Sequence, residues 1–538
     1  MKNVSLLLVL FSFFIAKGQI TLEHTFNGNQ RHVVRVNLEY SGEKYYMLNQ
    51  VTNEIVFYNA DYSFWKSIQL PLVPLSIVCN DTKIILVSES KINTDASIEI
   101  VFSINLNGAY QSIVYSENGT TLLTIPDANL VTFSEIAGLP IKIIASNSTQ
   151  AMGSRVYAVP QFLLENTYPY ENLSRIVLEN SGEKYFVLDK ISGQAKIYNA
   201  DHSLWKSINL PIPATTLYSG ISFVSETKIN PDALLEVGYS YATSATNPVY
   251  EGVIINENGA ILKTIPGASG FKISALAGCP NKVLVDVGSG TSVYDLPSLT
   301  LENSYSSQMN RVFLENYGAK YYQPRNTINN VIFSPATLPF TIYNDDHTFW
   351  KSVTMPVLST FNGVVTIKSI SETKINSDAQ LELVYSNLNN NQLEPQYESM
   401  VVQENGTILL DVYGATDLYI SELQGAETKL IADFGDINFQ RPFSSRVYGL
   451  NPLHITNFEN NSKNKVFPNP ANSYVNIQTA TSPIVEATIY SSTGILVDQI
   501  KTSNITKIDV EHLPSGTYLL NLSTADQMKS IHKIIISK

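Results

Sequence analysis

The stretch YNADYSFWKSI runs from Tyr58 to Ile68. It returns as YNADHSLWKSI at Tyr198 to Ile208 and as YNDDHTFWKSV at Tyr343 to Val353. All three tryptophans of the chain, Trp65, Trp205 and Trp350, lie in these copies. A unit of about 140 residues is therefore written three times.

Working outward, other landmarks keep the same period. RVNLEYSGEKYY (Arg35 to Tyr46) returns as RIVLENSGEKYF (Arg175 to Phe186) and RVFLENYGAKYY (Arg311 to Tyr322). SESKINTDASIE (Ser88 to Glu99) returns at Ser225 to Glu236 and at Ser371 to Glu382, and the turn ENG recurs downstream of each. The third repeat is longer, partly through an insertion near Asn326 to Phe340.

Between the landmarks the chain reads as short strands rich in β-branched and aromatic residues, bounded by Asn, Gly, Asp and Pro. Each repeat holds three hairpins. In the second they are AKIYNADHSLWKSINL, YEGVIINENGAILKTIP and SVYDLPSLTLENSY. If each hairpin is the outer half of a four-stranded blade, three repeats make about nine blades, with seven or eight still open. The expected fold class is all-β. A large β-propeller would occupy residues 19–458, with repeats at about 20–160, 161–297 and 298–451, before a small C-terminal β-sandwich. ITLEHTF (Ile20 to Phe26) matches FLLENTY (Phe162 to Tyr168) and LTLENSY (Leu299 to Tyr305). The chain thus opens with a strand suited to complete the final blade. LHITNF (Leu453 to Phe458) competes for that place.

The 35 basic and 47 acidic residues leave a net charge of −12, which argues against nucleic acid and anionic membranes as partners. Cys79 and Cys279 fall at different places in their repeats and read as free buried thiols. No Cys/His cluster suggests zinc, and no cofactor is expected. Lys2, the apolar run Val4 to Ala16, and Ala16-Lys17-Gly18 read as a signal peptide over residues 1–18. No later stretch is long and apolar enough for a transmembrane helix.

In the propeller reading, Asp61, Asp201 and Asp346 sit near the tip of a hairpin turn, where Asp bonds its own backbone. The Trp then starts the outer strand and fills the gap to the next blade, with Phe64 and Lys66 on the opposite face. This resembles the Asp-box, S-x-D-x-G-x-T-W, of sialidase-like and sortilin-like propellers. The likeness is architectural, since Asp precedes Trp by four residues here and the Gly is absent. Arg35, Arg175 and Arg311 recur on a strand, with Glu39, Glu179 and Glu315 four residues on, sharing a face. Sialidases grip a carboxylate with three arginines, so these six are candidate binding residues. The competing reading is an ion-pair ladder of each Arg with its own or a neighbouring Glu. Asn93, Asp95 and Glu99 of the repeated K-I-N-x-D-A could offer oxygens to calcium, although a hairpin turn is the simpler reading. His202 and His347 replace Tyr62 at what reads as a tolerated turn position. No G-x-S-x-G, HExxH or P-loop is present, and no catalytic residue is assigned.

A polar linker, 459–465, precedes a domain at 466–538. It opens with Pro468-Asn469-Pro470, turns at Gly494, runs LPSGTY through Gly516 and Tyr518, and ends in a basic strand. These motifs resemble the type A C-terminal sorting domain of the type IX secretion system of Bacteroidota. The resemblance implies contact with that machinery, passage across the outer membrane, and a surface-attached or released product. The expected function is a non-catalytic binding or adhesion module for a glycan or protein ligand. Two alternatives stay open: a glycosidase or lyase on a propeller, and a structural surface component.

Overall fold

A computed structural model describes residues 20–450 and 465–538, apart from 28–31, 50–51, 72–81, 94, 107–108, 147–152, 217, 244–247, 333–336, 358–359, 377, 379, 390–395, 437–440, 480–481, 492–495 and 526–528. The expected signal peptide, Cys79, LHITNF and Gly494 lie outside these residues. The chain divides into two compact units, Met1–Pro452 and Leu453–Lys538. No described helix is long and apolar enough to cross a membrane.

The first unit is a succession of antiparallel sheets, most of them four-stranded, in the manner of a propeller. Among the described residues there are nine. Numbered in chain order, sheet 1 spans 34–69, sheet 2 83–126, sheet 3 130–168, sheet 4 174–209, sheet 5 218–266 and sheet 6 268–305. Sheet 7 spans 310–356, sheet 8 takes 325–332 with 360–413, and sheet 9 spans 415–450. Each repeat supplies three sheets, and the hairpins read from sequence are their third and fourth strands. The glycines of the three ENG turns, Gly119, Gly259 and Gly406, have φ of 93°, 81° and 83°, which a side chain would disfavour.

Sheet 9 takes its fourth strand from the start of the chain. Ile20–Asn27 pairs antiparallel with Arg441–Leu450, from Ile20 opposite Leu450 to Asn27 opposite Ser444. Consecutive sheets bury apolar clusters between them. Ile55, Phe57, Ile100 and Phe102 join sheets 1 and 2, and Val156, Tyr168, Tyr185 and Val187 join sheets 3 and 4. Phe26, Ile431 and Val447 of sheet 9 pack against Val33, Tyr45 and Met47 of sheet 1. A row of sheets with two free ends would leave its first and last faces unpartnered; here those two faces meet.

All nine sheets break register at one place, where the outer strand begins. Tyr58 faces Phe64 while Phe57 faces Lys66, so Trp65 is the extra residue of a bulge. Leu122 and Glu165 hold that place in sheets 2 and 3, and Glu23 holds it in sheet 9. Bulges sharpen the local twist, which suits strands splaying outward from a common centre.

The second unit has a three-stranded sheet (465–467, 474–478, 507–509) and a four-stranded sheet (484–491, 496–501, 516–524, 529–536). They share one core that includes Val475, Ile489, Tyr518, Leu520, Leu522 and Ile534.

Candidate functional site

The three arginines start from the first strands of sheets 1, 4 and 7. Their side chains are at most 1% exposed, and every bond they make is internal. Arg35 donates Nε to Glu43 Oε1 at 2.8 Å, and its other nitrogens reach the Ser421 and Glu427 carbonyls of sheet 9. Arg175 repeats this with Glu183 at 2.7 Å and the Ser134 carbonyl of sheet 3. Arg311 bonds Asp345 and the Pro280 carbonyl of sheet 6. Each guanidinium thus stitches one repeat to the repeat before it.

The glutamates four residues on do something else. The strand ends at Leu38, so Glu39 lies in the following turn and the alternation rule stops applying. Glu39 accepts from Ser88 Oγ and the Glu89 amide of sheet 2, and Glu179 accepts from Ser225 Oγ and the Glu226 amide of sheet 5. Glu315 is exposed. The structure therefore corrects the expected Arg/Glu face: the six residues form no common site. Tyr45, Tyr185 and Tyr321 pack near the arginines, and burial lifts their phenols well above the ordinary range, so none is a ready base at neutral pH.

The tryptophans are half-buried at the edges of the apolar clusters between sheets. Two ammonium groups approach each indole. Lys44 and Lys66 lie 4.8 and 4.2 Å from the Trp65 ring centroid. Lys184 and Lys206 lie 4.8 and 4.3 Å from Trp205, and Lys320 and Lys351 lie 4.9 and 4.7 Å from Trp350. Lys66 also bonds Glu117 of sheet 2 at 2.7 Å. The bulge defeats the expected alternation and brings Lys66 back over the ring. Asp61, Asp201 and Asp346 accept from the hydroxyl and amide two residues on, which hold their carboxyls below the usual range.

The Tyr62/His202/His347 position is more than a tolerated turn residue. All three have φ of 67°, in the left-handed region. His202 Nε2 lies 3.4 Å from Glu165, His347 Nε2 3.4 Å from Glu302, and Tyr62 bonds Glu23; each acid belongs to the sheet before. Tyr168 and Tyr305 hold the other imidazole nitrogen, and Phe26 stands where Tyr62 needs no such partner.

In the K-I-N-x-D-A loop, Asn93 donates to Glu99 Oε1 at 2.8 Å and accepts from the Asp95 amide, and Asp95 accepts from the Ser97 amide. Among the described residues, no group of three or more His, Cys, Asp or Glu side chains converges as a metal site.

The threefold pattern breaks in sheet 7. In sheets 1 and 4 the second and third strands pair over six residues, up to Asn49–Glu54 and Asp189–Gln194. In sheet 7 the pairing stops at Tyr322–Ile342. The chain leaves at Gln323, and Arg325–Ile332 pairs instead with Thr360–Ser371 of sheet 8. Thr337 to Thr341 thus lacks that neighbour. Pro339, which has no N–H to satisfy, lies in this half. A cavity of about 240 Å³ opens there, lined by Tyr305, Met309, Asn326, Phe340, Thr341 and Tyr343 among others. Among the described residues, none of those that line it is an acid, a histidine, a lysine or an arginine. The insertion was visible in the sequence, but the strand exchange was not.

In the second unit the Pro468-Asn469-Pro470 motif is pinned to the last strand. Asn469 donates to the Lys533 carbonyl at 2.7 Å and accepts from the Ile535 amide at 2.8 Å. Tyr518 bonds the Pro514 carbonyl beside Gly516. Residues 465–537 match the family model described as secretion system C-terminal sorting domain. The chain carries a type IX sorting domain. The sorting domain marks the protein for export across the outer membrane by that machinery. No curated protein matches the chain. Solved structures similar to it include the Dos1 propeller (10% identity, 80% of this chain, 96% of that one, TM-score 0.36). Dihydro-heme d1 dehydrogenase NirN in complex with DHE is similar at 11% identity over 77% and 75%, TM-score 0.34. The WD40 domain of SCAP from fission yeast is similar at 8% over 80% and 96%, TM-score 0.28.

Proposed function

We propose that the chain is a non-catalytic binding or adhesion protein, working outside the cell on a closed nine-bladed propeller. The apolar cluster between the last and first sheets and the strand Ile20–Asn27 support the closed ring. Residues 1–18 direct Sec export to the periplasm, and the sorting domain then leads to a surface-attached or released product.

The observation that carries the binding reading is the cavity beside sheet 7. It lies where the repeat pattern fails, and its described lining joins aromatic rings with hydroxyl and amide groups and holds no carboxyl or imidazole. Glycoside hydrolysis ordinarily needs two carboxyls and a lyase needs a base. Such a lining suits an uncharged polar ligand such as a glycan.

A glycan array and a hydrolysis screen on the mature full-length chain test this. The expected result is binding without turnover, weakened by Asn326→Ala and Thr341→Val at unchanged thermal stability. Turnover that these substitutions abolish would overturn the reading.

A further inference from the structure

Three glutamates occupy the same place in the three repeats, at the start of the second strands of sheets 2 and 5 and of the third strand of sheet 8, which carries the extra strand 325–332. Glu99, Glu236 and Glu382 are each 0% exposed. A buried carboxylate without a matching cation is costly, and the group usually neutralises itself instead.

Among the described residues, no lysine, arginine or histidine is paired with Glu236 or Glu382. Glu236 faces Asn230 and Asp232 of its own loop, Asn256 across the ladder and Glu179 from sheet 4. Asn230 donates to Glu236 Oε1 at 3.2 Å, while Oε2 has no donor. Glu382 faces Asn376 and Asp378 of its loop and Gln403 across the ladder; the two amides come within reach and pull its pKa down, but neither of its oxygens receives a well-formed hydrogen bond. Gln403 gives its amide to Asp378 instead, at 2.6 Å. The lysines nearby are committed: Lys228 lies 3.4 Å from Glu179, and Lys351 bonds Glu404 at 2.6 Å. The Asp232 and Asp378 carboxyls lie within hydrogen-bond reach of Glu236 and Glu382. Two carboxylates that close cannot both be charged cheaply.

We propose that Glu236 and Glu382 are kept as neutral acids, each sharing one proton with the aspartate four residues before it, and that these pairs couple the stability of the first unit to external pH. The proton gives each orphan oxygen its partner and leaves each pair with one negative charge. Burial first, then the aspartate's charge, push Glu236 up to about 8 and Glu382 up to about 9. Glu99, facing Asn93, Asp95, Ser116 and Glu117, is pushed by burial to about 7 and is the weakest member. The folded values lie above the unfolded one, so this stabilisation is complete below the unfolded value and is lost as pH rises through the folded values.

The experiment is thermal unfolding of the mature full-length chain at about pH 6 and about pH 9, with Glu236→Gln, Glu382→Gln and the double variant. Glutamine mimics the neutral acid. The expected result is a fall in Tm for the parent that shrinks in each variant and shrinks most in the double. A fall that stays unchanged or steepens would overturn the proposal. So would calcium raising the Tm of the parent and not of the double variant, which would put a cation where we put the proton. Should a variant fail to fold, infrared spectroscopy of the parent decides. A protonated-carboxyl band that persists well above the pH at which free glutamate ionises supports the pairs, and its absence overturns them.

Discussion

Arg311 holds Asp345 through both carboxylate oxygens, each at 2.7 Å, from Nε and Nη2. In the other repeats the acid comes from a different strand: Glu43 and Glu183 stand where the third repeat has Ala319, and Ala60 and Ala200 stand where it has Asp345. The carboxylate has moved while the guanidinium it neutralises has stayed. Glu43→Ala should therefore cost about 3–5 kcal/mol, because it leaves a buried charge uncompensated. Adding Ala60→Asp should recover most of that loss. Thermal unfolding of the single and double variants checks it, and a double variant no better than the single would deny the equivalence.

The indoles should share one fate. Each packs at a cluster edge beneath two ammonium groups, so Trp65→Ala, Trp205→Ala and Trp350→Ala should each cost about 3 kcal/mol, the low end for a large aromatic. Unfolding measures the loss, and intrinsic fluorescence of the parent should be blue-shifted. One variant of unchanged stability that had lost ligand binding would single out that copy as a platform.

Glu23 reaches Lys429 at 2.8 Å across the seam between the first strand and sheet 9. Lys142 with Glu165 and Lys282 with Glu302 make the same pair inside continuous stretches of chain. Deleting residues 20–27 should uncover an edge on sheet 9, lower the unfolding temperature and promote association through that edge. Size-exclusion chromatography and thermal scans would report it. A deletion variant as monomeric and as stable as the parent would show that another segment completes the sheet.

Removing residues 466–538 should leave a folded first unit in the periplasm, because the sorting domain has a core of its own. Asn469→Ala should weaken export more mildly, since it frees the last strand from two hydrogen bonds worth about 1 kcal/mol each. Immunoblots of periplasm and medium give the readout. Truncated protein outside the cell at parental levels would refute the assignment.

Much of this was legible where one residue type recurs. Trp65, Trp205 and Trp350 announce the threefold unit, and Pro468-Asn469-Pro470 with Gly516 and Tyr518 announces the sorting domain. The finer period of one sheet was legible only through its hairpins and not through any recurring residue, because the backbone bulge common to the sheets is occupied by Trp65, Leu122 and Glu165 in turn. The arginine partners were misread because Glu39 lies past the end of its strand, while Glu43 approaches from the neighbouring one. The cavity depends on which sheet an inserted strand joins, and pairing over such distances leaves no local periodicity to read.

The strand Ile20–Asn27 is made before every other strand of the first unit, yet its partner, Arg441–Leu450, comes after all of them. Closing so long a loop is entropically expensive and slow. Until residue 450 is free to fold, the opening segment can only wait. Any other copy folding nearby would present a vacancy of the same shape. A segment from one molecule can fill the gap in another, so dense secretion favours exchanged dimers that dilute secretion would not produce.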